Sequence, residues 1–235
     1  MRFNRAVRRL SLVLLAGLAA FVLVSFVAVA ALRWVDPPTS SVMIQHRVSA
    51  WLDGRERPYL YHEWTPLASI ATTVPLAVVA AEDQRFPNHR GFDRVEIEKA
   101  WRDYRERGRL RGASTLSQQV AKNLFLWHGK SLSRKTLEAW YTLLIEGLWP
   151  KQRILEVYLN IAQLGPDTYG VGAASWRYFD RPPAALRPAD AALLAAVLPN
   201  PERYRLDAPS SYVRQRATWV RTQMRQLGPG YLSGL

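Results

Sequence analysis

Cysteine is absent from the 235 residues, which excludes a disulfide framework, a thiol nucleophile and any Cys-ligated zinc or iron–sulfur centre. The absence fits an oxidising compartment, where stray thiols are a liability. Acidic residues are scarce too: 19 Asp and Glu stand against 32 Lys and Arg, a net charge of +13. A balance this basic points to an anionic partner. By itself it leaves open nucleic acid, phospholipid headgroup or a phosphorylated substrate. Runs of alternating β-branched residues are few and no repeat or low-complexity tract is visible, so a mainly α fold is expected.

Charge is missing altogether from residues 10–32, which are nearly all Leu, Val, Ala and Phe. As a helix they span roughly 34 Å, enough to cross a bilayer core and too long for the apolar part of a signal peptide. Arg2, Arg5, Arg8 and Arg9 precede the run and Arg33 alone follows closely. The positive-inside rule then keeps the tail of residues 1–9 in the cytoplasm and exports the rest. Export removes nucleic acid from the partners.

Residues 33–60 read as a juxtamembrane connector, irregular and proline-marked, with a short extended piece near 41–48. Residues 61–235 read as one domain. Within it, Thr72 or Thr73 caps a helix over 75–82, and helices follow over 95–107, 115–126, 133–148, 150–162, 188–197 and 211–227.

Four segments carry candidate chemistry. In the first, Glu82 ends a strongly apolar helix, so partial desolvation is expected to raise its pKa toward the range of a general base. Asp83, Phe86, His89, Gly91 and Asp93 follow, the glycine permitting a turn that His89 and Asp93 fix by hydrogen bonds. A helix ending in solvated charge accounts for this segment equally well. In the second, the basic Gly-flanked loop at Arg109, Arg111 and Gly112 runs into a helix N-terminus, a ready-made anion site. Helical spacing sets Thr115, Gln118 and Lys122 on one face with Ser114 beside them, a row of donors for phosphate or sugar oxygens. The GxxxxGK[ST] spacing of a phosphate-binding loop is missing. In the third, Glu138 lies one turn after Arg134 and Lys135 and enters a turn apolar on every side (Trp140, Leu143, Leu144, Ile145), which is buried or lies against a membrane. The fourth, with Ile154, Leu155, Tyr158, Leu159 and Ala162 as an inward stripe, reads as scaffold beneath a glycine-rich loop around Gly165, Gly170 and Gly172.

Together the four blocks resemble the peptidoglycan glycosyltransferases, the polymerase domain of class A penicillin-binding proteins and its monofunctional relatives. EDxxFxxHxGxD is met by residues 82–93. GxSTLxQQxxKN is met by 112–123, with Ser117 where Thr is more usual. RKxxE is met by 134–138 and ILExYLN by 154–160. The resemblance implies a lysozyme-like, two-lobed helical fold. It implies that lipid II is joined into β-1,4-linked glycan strands with inversion and release of undecaprenyl diphosphate. Glu82 would be the base and Glu138 the second glutamate, holding the diphosphate directly or through a divalent Mg or Mn ion. Asp83, Phe86, His89, Ser114, Thr115, Gln118, Gln119, Lys122, Lys130, Arg134 and Lys135 would form the substrate-binding set.

The expected partners are lipid II, the growing lipid-linked chain, the membrane and cell-wall synthesis proteins. Stretches 124–127 and 140–145 are expected to dip into the outer leaflet. SxxK and KTG motifs are missing, since Lys135-Thr136 is followed by Leu137, so no cross-linking activity is expected. Three readings compete: a lytic hydrolase of the same polymer, an inert membrane-anchored scaffold, and an anionic-lipid-binding domain. The diphosphate-binding cations argue against the first and the paired glutamates against the other two.

Overall fold

The computed structural model describes residues 2–54, 59–108, 112–129 and 131–235, with side chains from Val7 onward. The fold is mainly α. Helix α1 (Arg2–Ala31) contains a stretch, Val7–Ala31, whose most apolar 18 consecutive residues have mean hydropathy 2.9, long and apolar enough to cross a membrane. It begins earlier than the uncharged run because arginine is a good helix former and nothing breaks the first turns.

The exit of α1 is clamped. Arg153 donates to the carbonyls of Leu32 and Val35 and pairs with Asp36 at 2.8 Å, so the chain leaves the span in one direction. The expected extended piece near 41–48 is instead a helix, α2 (Ser41–Leu52). Ser40 caps it by accepting from the Met43 amide, and burial of Val42, Met43 and Ala50 outweighs the β-branched residues that favoured a strand. Gln45 then bonds the Leu126 carbonyl and the His128 amide.

Helix α3 (Thr73–Glu82) has seven consecutive buried residues, Val74 to Ala80. Such a helix is stable only when surrounded. Its neighbours are α9 (Pro188–Val197) and α10 (Ser211–Leu227), the latter capped by Ser210 and ended by Gly228. Thr72 makes no capping bond, contrary to the expected threonine cap. Helix α4 (Arg94–Arg107) is capped by Asp93, which accepts from the Val95 and Glu96 amides, and has no buried residue. Helix α5 (Leu116–Phe125) packs between α6 (Leu132–Leu148) and α7 (Lys151–Ile161).

A small sheet joins β1 (Tyr61–His62), β2 (Gln163–Gly165) and β3 (Thr168–Tyr169) in the order β1-β3-β2, with β1 parallel and β2 antiparallel to β3. The expected glycine-rich loop is instead the β2–β3 hairpin running into a helix, α8 (Val171–Phe179), with Gly165 in β2 and Gly172 in α8. The glycine spacing reflects close approach, not looseness. Gly170 has φ of +80°, and a Cβ there would sit 2.6 Å from the Asn160 carbonyl oxygen. Gly170→Ala is therefore expected to cost at least about 2 kcal/mol, read as an early unfolding transition in denaturant. A melt like that of the unsubstituted protein would contradict this packing.

Helix α6 lies along the far half of α1. The Trp140 indole donates to Ser25 Oγ at 3.1 Å, the Trp149 indole donates to the Val29 carbonyl at 2.7 Å, and Phe21 packs 6.4 Å from Trp140. The stretches expected to dip into the leaflet are mostly engaged inside the protein. Leu124, Leu126 and Ile145 belong to the core, and Phe125 stacks on Tyr141 at 4.4 Å. Within them only Trp127 and Leu143 remain exposed.

Candidate active site

Glu82 is the last residue of α3, where the packed helix runs out and its carboxylate emerges 15% exposed. Gln119 Nε2 donates to one carboxylate oxygen at 3.1 Å, and Arg216 Nη2 lies 3.4 Å from the other. Burial pushes the Glu82 pKa above the ordinary glutamate value. The Gln119 hydrogen bond and the charges of Arg216 and Lys122 oppose that rise, and neighbouring Asp83 adds to it. The result is a carboxylate that accepts a proton more readily than a solvated one, as the sequence led us to expect.

Gln119 is itself oriented. The Tyr158 hydroxyl donates to Gln119 Oε1 at 3.2 Å, which turns the amide nitrogen toward Glu82. Tyr158 is buried, and burial together with Glu82 and Asp83 keeps its phenol protonated well beyond the usual range, so its O–H remains available to donate. Lys122, one turn along α5, is partly buried. Burial lowers its pKa, Glu138 and Glu82 raise it, and Arg134 and Lys135 lower it. Lys122 thus feels both glutamates and links them electrostatically.

Glu138 is only 3% exposed, so its pairing with neighbouring cations is no surface decoration. Arg134 Nη1 donates to one of its oxygens at 2.8 Å and Lys135 Nζ to the other. Arg134 is mostly buried, whereas Lys135 is about half exposed. This arrangement does not suit a resident divalent ion. Both oxygens of Glu138 already accept from cations, which compete with a metal for the same lone pairs. Among the described residues no group of three His, Cys, Asp or Glu stands together to complete a ligand set. The expected Mg or Mn ion at Glu138 therefore does not fit this donor set.

Two cavities flank the Glu82–Gln119 pair. The larger, 400 Å³, is lined by Glu82, Arg85, Lys99, Ser114, Trp219 and Gln223 among others. The smaller, 180 Å³, is lined by Gln119, Lys122, Asn123, His128 and Tyr158 among others.

The remaining residues of the expected substrate-binding set fall in different places. Ser114 is exposed on the larger cavity, and Gln119 and Lys122 face the smaller one. Asp83, Phe86, His89, Thr115 and Gln118 are buried and have internal partners, which changes their expected role from contact to brace. Asp83 reaches the edge of the larger cavity, but its oxygens accept from His89 Nε2 at 2.9 and 3.0 Å and from the Leu116 amide at 2.9 Å. It thereby ties the end of α3 to the start of α5. Thr115 also edges that cavity, yet its hydroxyl donates to the Gly91 carbonyl at 2.6 Å while it forms a reciprocal cap with Gln118. Phe86 is wholly buried under the Lys151 ammonium, 4.4 Å from its ring centroid. Ser117 is buried and donates to Glu146, which also accepts from Lys151. Lys130 and residues 109–111 lie outside the described residues.

The sequence motifs missed the contribution of α10. Arg216, Trp219 and Gln223 share one face of it, spaced three and four apart, and close the cleft opposite α5. Gln223 accepts from Gln84 Nε2 at 2.9 Å. The only local signal was an Arg and a Trp on one face of a helix, which is too common to single out. The fourth segment is scaffold as read: Asn160, wholly buried, accepts from the Thr65 amide at 2.7 Å and donates to the Thr65 carbonyl at 2.9 Å.

Comparison with protein families matches residues 52–225 to the family described as transglycosylase. The chain is 54% identical over 231 residues to a biosynthetic peptidoglycan transglycosylase of Xanthomonas campestris pv. campestris, covering 97% of this chain and 93% of the relative. Similar proteins carrying the same description occur in Xanthomonas euvesicatoria pv. vesicatoria, 52% identical over 98% of this chain and 93% of the relative. Another occurs in Xylella fastidiosa, 51% identical over 94% of this chain and 89% of the relative.

Proposed function

This chain belongs to the transglycosylase family and polymerises peptidoglycan glycan strands, and on that premise we propose that Glu82 is the base of the transfer. Glu82 takes the proton from the 4-hydroxyl of the GlcNAc of lipid II. That oxygen forms a bond to the anomeric carbon of the MurNAc at the reducing end of the growing chain, from the face opposite the leaving group. The bond from that carbon to the diphosphate oxygen breaks, and its electron pair leaves with undecaprenyl diphosphate. Because attack and departure lie on opposite faces, the configuration inverts.

The leaving group is already a diphosphate, so no acid is needed to protonate it. What the transition state lacks is positive charge along the breaking bond. Lys122, Arg134 and Lys135 supply it, with Ser114 at the mouth as a neutral donor. Glu138 holds Arg134 and Lys135 in place, and no step is assigned to a metal. The observation that carries this reading is the course of α5. One turn of it presents Gln119 to the raised carboxylate of Glu82 and Lys122 to the Glu138 cluster. A hydrolase of the same polymer would have no use for that second half.

We infer that the enzyme sits in the bacterial inner membrane, its arginine-rich N-terminus cytoplasmic and its cleft periplasmic. The support for this is the excess of Arg before the apolar stretch and the length of that stretch. Packing of α6 against α1 supports a cleft held beside the bilayer, where both lipid-linked substrates reside. Cell-wall synthesis proteins are the protein partners this location favours.

The test is incubation of the detergent-solubilised protein with labelled lipid II, with products resolved by size. Lysozyme-sensitive polymer is expected. Intact lipid II together with cleavage of preformed strands would replace polymerisation by hydrolysis. The pH profile gives a second check. The base must be ionised, so the rate should rise with pH along a limb above the ordinary glutamate range, because burial raises the Glu82 pKa. Arg216→Gln removes a positive charge that holds this pKa down, so the limb should move to higher pH. A limb that stays put or moves down would mean that another group titrates.

A further inference from the structure

The larger cavity holds the base Glu82 and the donor Ser114, and beyond them it carries groups that neither the base nor the cation cluster requires. Its charged and polar lining (Glu82, Arg85, Lys99, Ser114, Gln223) is interrupted by a single aromatic side chain, Trp219. Trp219 lies on the α10 face between Arg216 and Gln223, and both neighbours are engaged with the end of α3. The Arg216 guanidinium lies 5.7 Å from the Trp219 ring centroid and also reaches Glu82 at 3.4 Å. The indole is therefore fixed relative to the base. It is 43% exposed, and of the six tryptophans exposed to that degree or more it is the one that lines the cavity beside Glu82.

We propose that Trp219 is a platform for a pyranose ring of the substrate, stacking against the C–H face of the sugar that sits next to Glu82. A pyranose has hydroxyls around its rim and aliphatic hydrogens on its faces. A pocket of charged and amide groups around one exposed indole matches both surfaces. The volume of 400 Å³ lies in the ordinary range for a small-ligand site. The ring comes either from lipid II or from the growing strand, which share this chemistry. The inference rests on the polymerase reading above, because it takes the reacting sugars as the occupants of the cavity.

Two measurements test it. In the first, Trp219→Leu and Trp219→Phe are compared with the unsubstituted enzyme for lipid II KM, kcat and strand length. If lipid II supplies the ring, Leu raises KM about five- to tenfold with kcat little changed. If the growing strand supplies it, Leu leaves KM alone and shortens the strands. Phe recovers most of either loss. In the second, the full-length enzyme carrying Glu82→Gln, labelled with 5-fluorotryptophan, is titrated in detergent with lipid II and, separately, with a lipid-linked glycan strand. The Trp219 resonance, assigned by its disappearance in Trp219→Phe, should shift.

A Trp219 resonance that stays put in both titrations overturns the proposal whatever the kinetics. So does a folded Leu variant with unchanged KM and strand length, or a Phe variant as impaired as Leu. If the Leu variant fails to fold, the resonance of the intact enzyme decides. Failure of the polymerase reading would look different: no polymer would form from lipid II with any of these enzymes.

Discussion

Glu82→Gln is expected to lower the polymerisation rate about a hundred- to ten-thousandfold, the range that a positioned general base contributes. The amide keeps the shape and can still engage Gln119 and Arg216, but it cannot take the proton. The effect should fall on kcat, with lipid II KM little changed. Stability should not fall in step. Burial raises the folded-state pKa of Glu82 above its unfolded value, so the folded protein holds this proton over a range where the unfolded chain has lost it. Its contribution to stability therefore declines as pH rises from the unfolded value through the folded one. At neutral pH the ionised carboxylate is a cost, and replacing it by a neutral amide should leave the melting temperature equal or higher. Retention of more than about a tenth of the rate, a far smaller loss than removal of a general base causes, would end the assignment.

The second large effect is expected from Glu138→Gln. Both carboxylate oxygens hold cations, and Arg134 has little solvent to fall back on. Removing the negative charge leaves Arg134 without its partner, at a cost of about 2–4 kcal/mol; the pair with half-exposed Lys135 adds little. The rate should fall about a hundredfold or more, mainly in kcat, because the cations that face the leaving diphosphate lose their alignment. A merely structural Glu138 would also lower stability, so a distinct readout is needed. Glu138 raises the Lys122 pKa, so its loss should let burial lower that pKa further. The alkaline limb of the rate profile should accordingly move to lower pH. An unchanged limb, with loss of stability alone, would reduce Glu138 to a packing role.

Helices with strong end signals were legible from the residues. Pro188 in the first turn marks the start of α9 and Gly228 the end of α10, and both helices match the expected spans. Where the end signals were ambiguous the reading failed. Gly170 and Gly172 read as loop residues from sequence alone, because local sequence does not show that the Asn160 backbone fills the Cβ space at Gly170 and that Thr65 and the Glu63 carbonyl fill it at Gly172. Helix α2 was read as extended because its cap, Ser40, is weak evidence until the burial of Val42 and Met43 is known.

The candidate site divides along the same line. Residue type and spacing alone marked the apolar span and the mainly helical domain, and brought forward the two glutamates and the cations beside them as candidates. These features rest on composition and on contacts within one or two helical turns. Only the tertiary structure decided which motif residues face the cleft and which brace it. Asp83, His89, Thr115 and Gln118 are turned inward by bonds to one another and to distant backbone. The partnership of Glu82 with Arg216 spans 134 residues, and the exposed indole of Trp219 comes from the same distant helix. The physical reason is burial. Capping and periodicity act over a few residues, whereas the desolvation that raises Glu82 exists only once α10 has closed against α3.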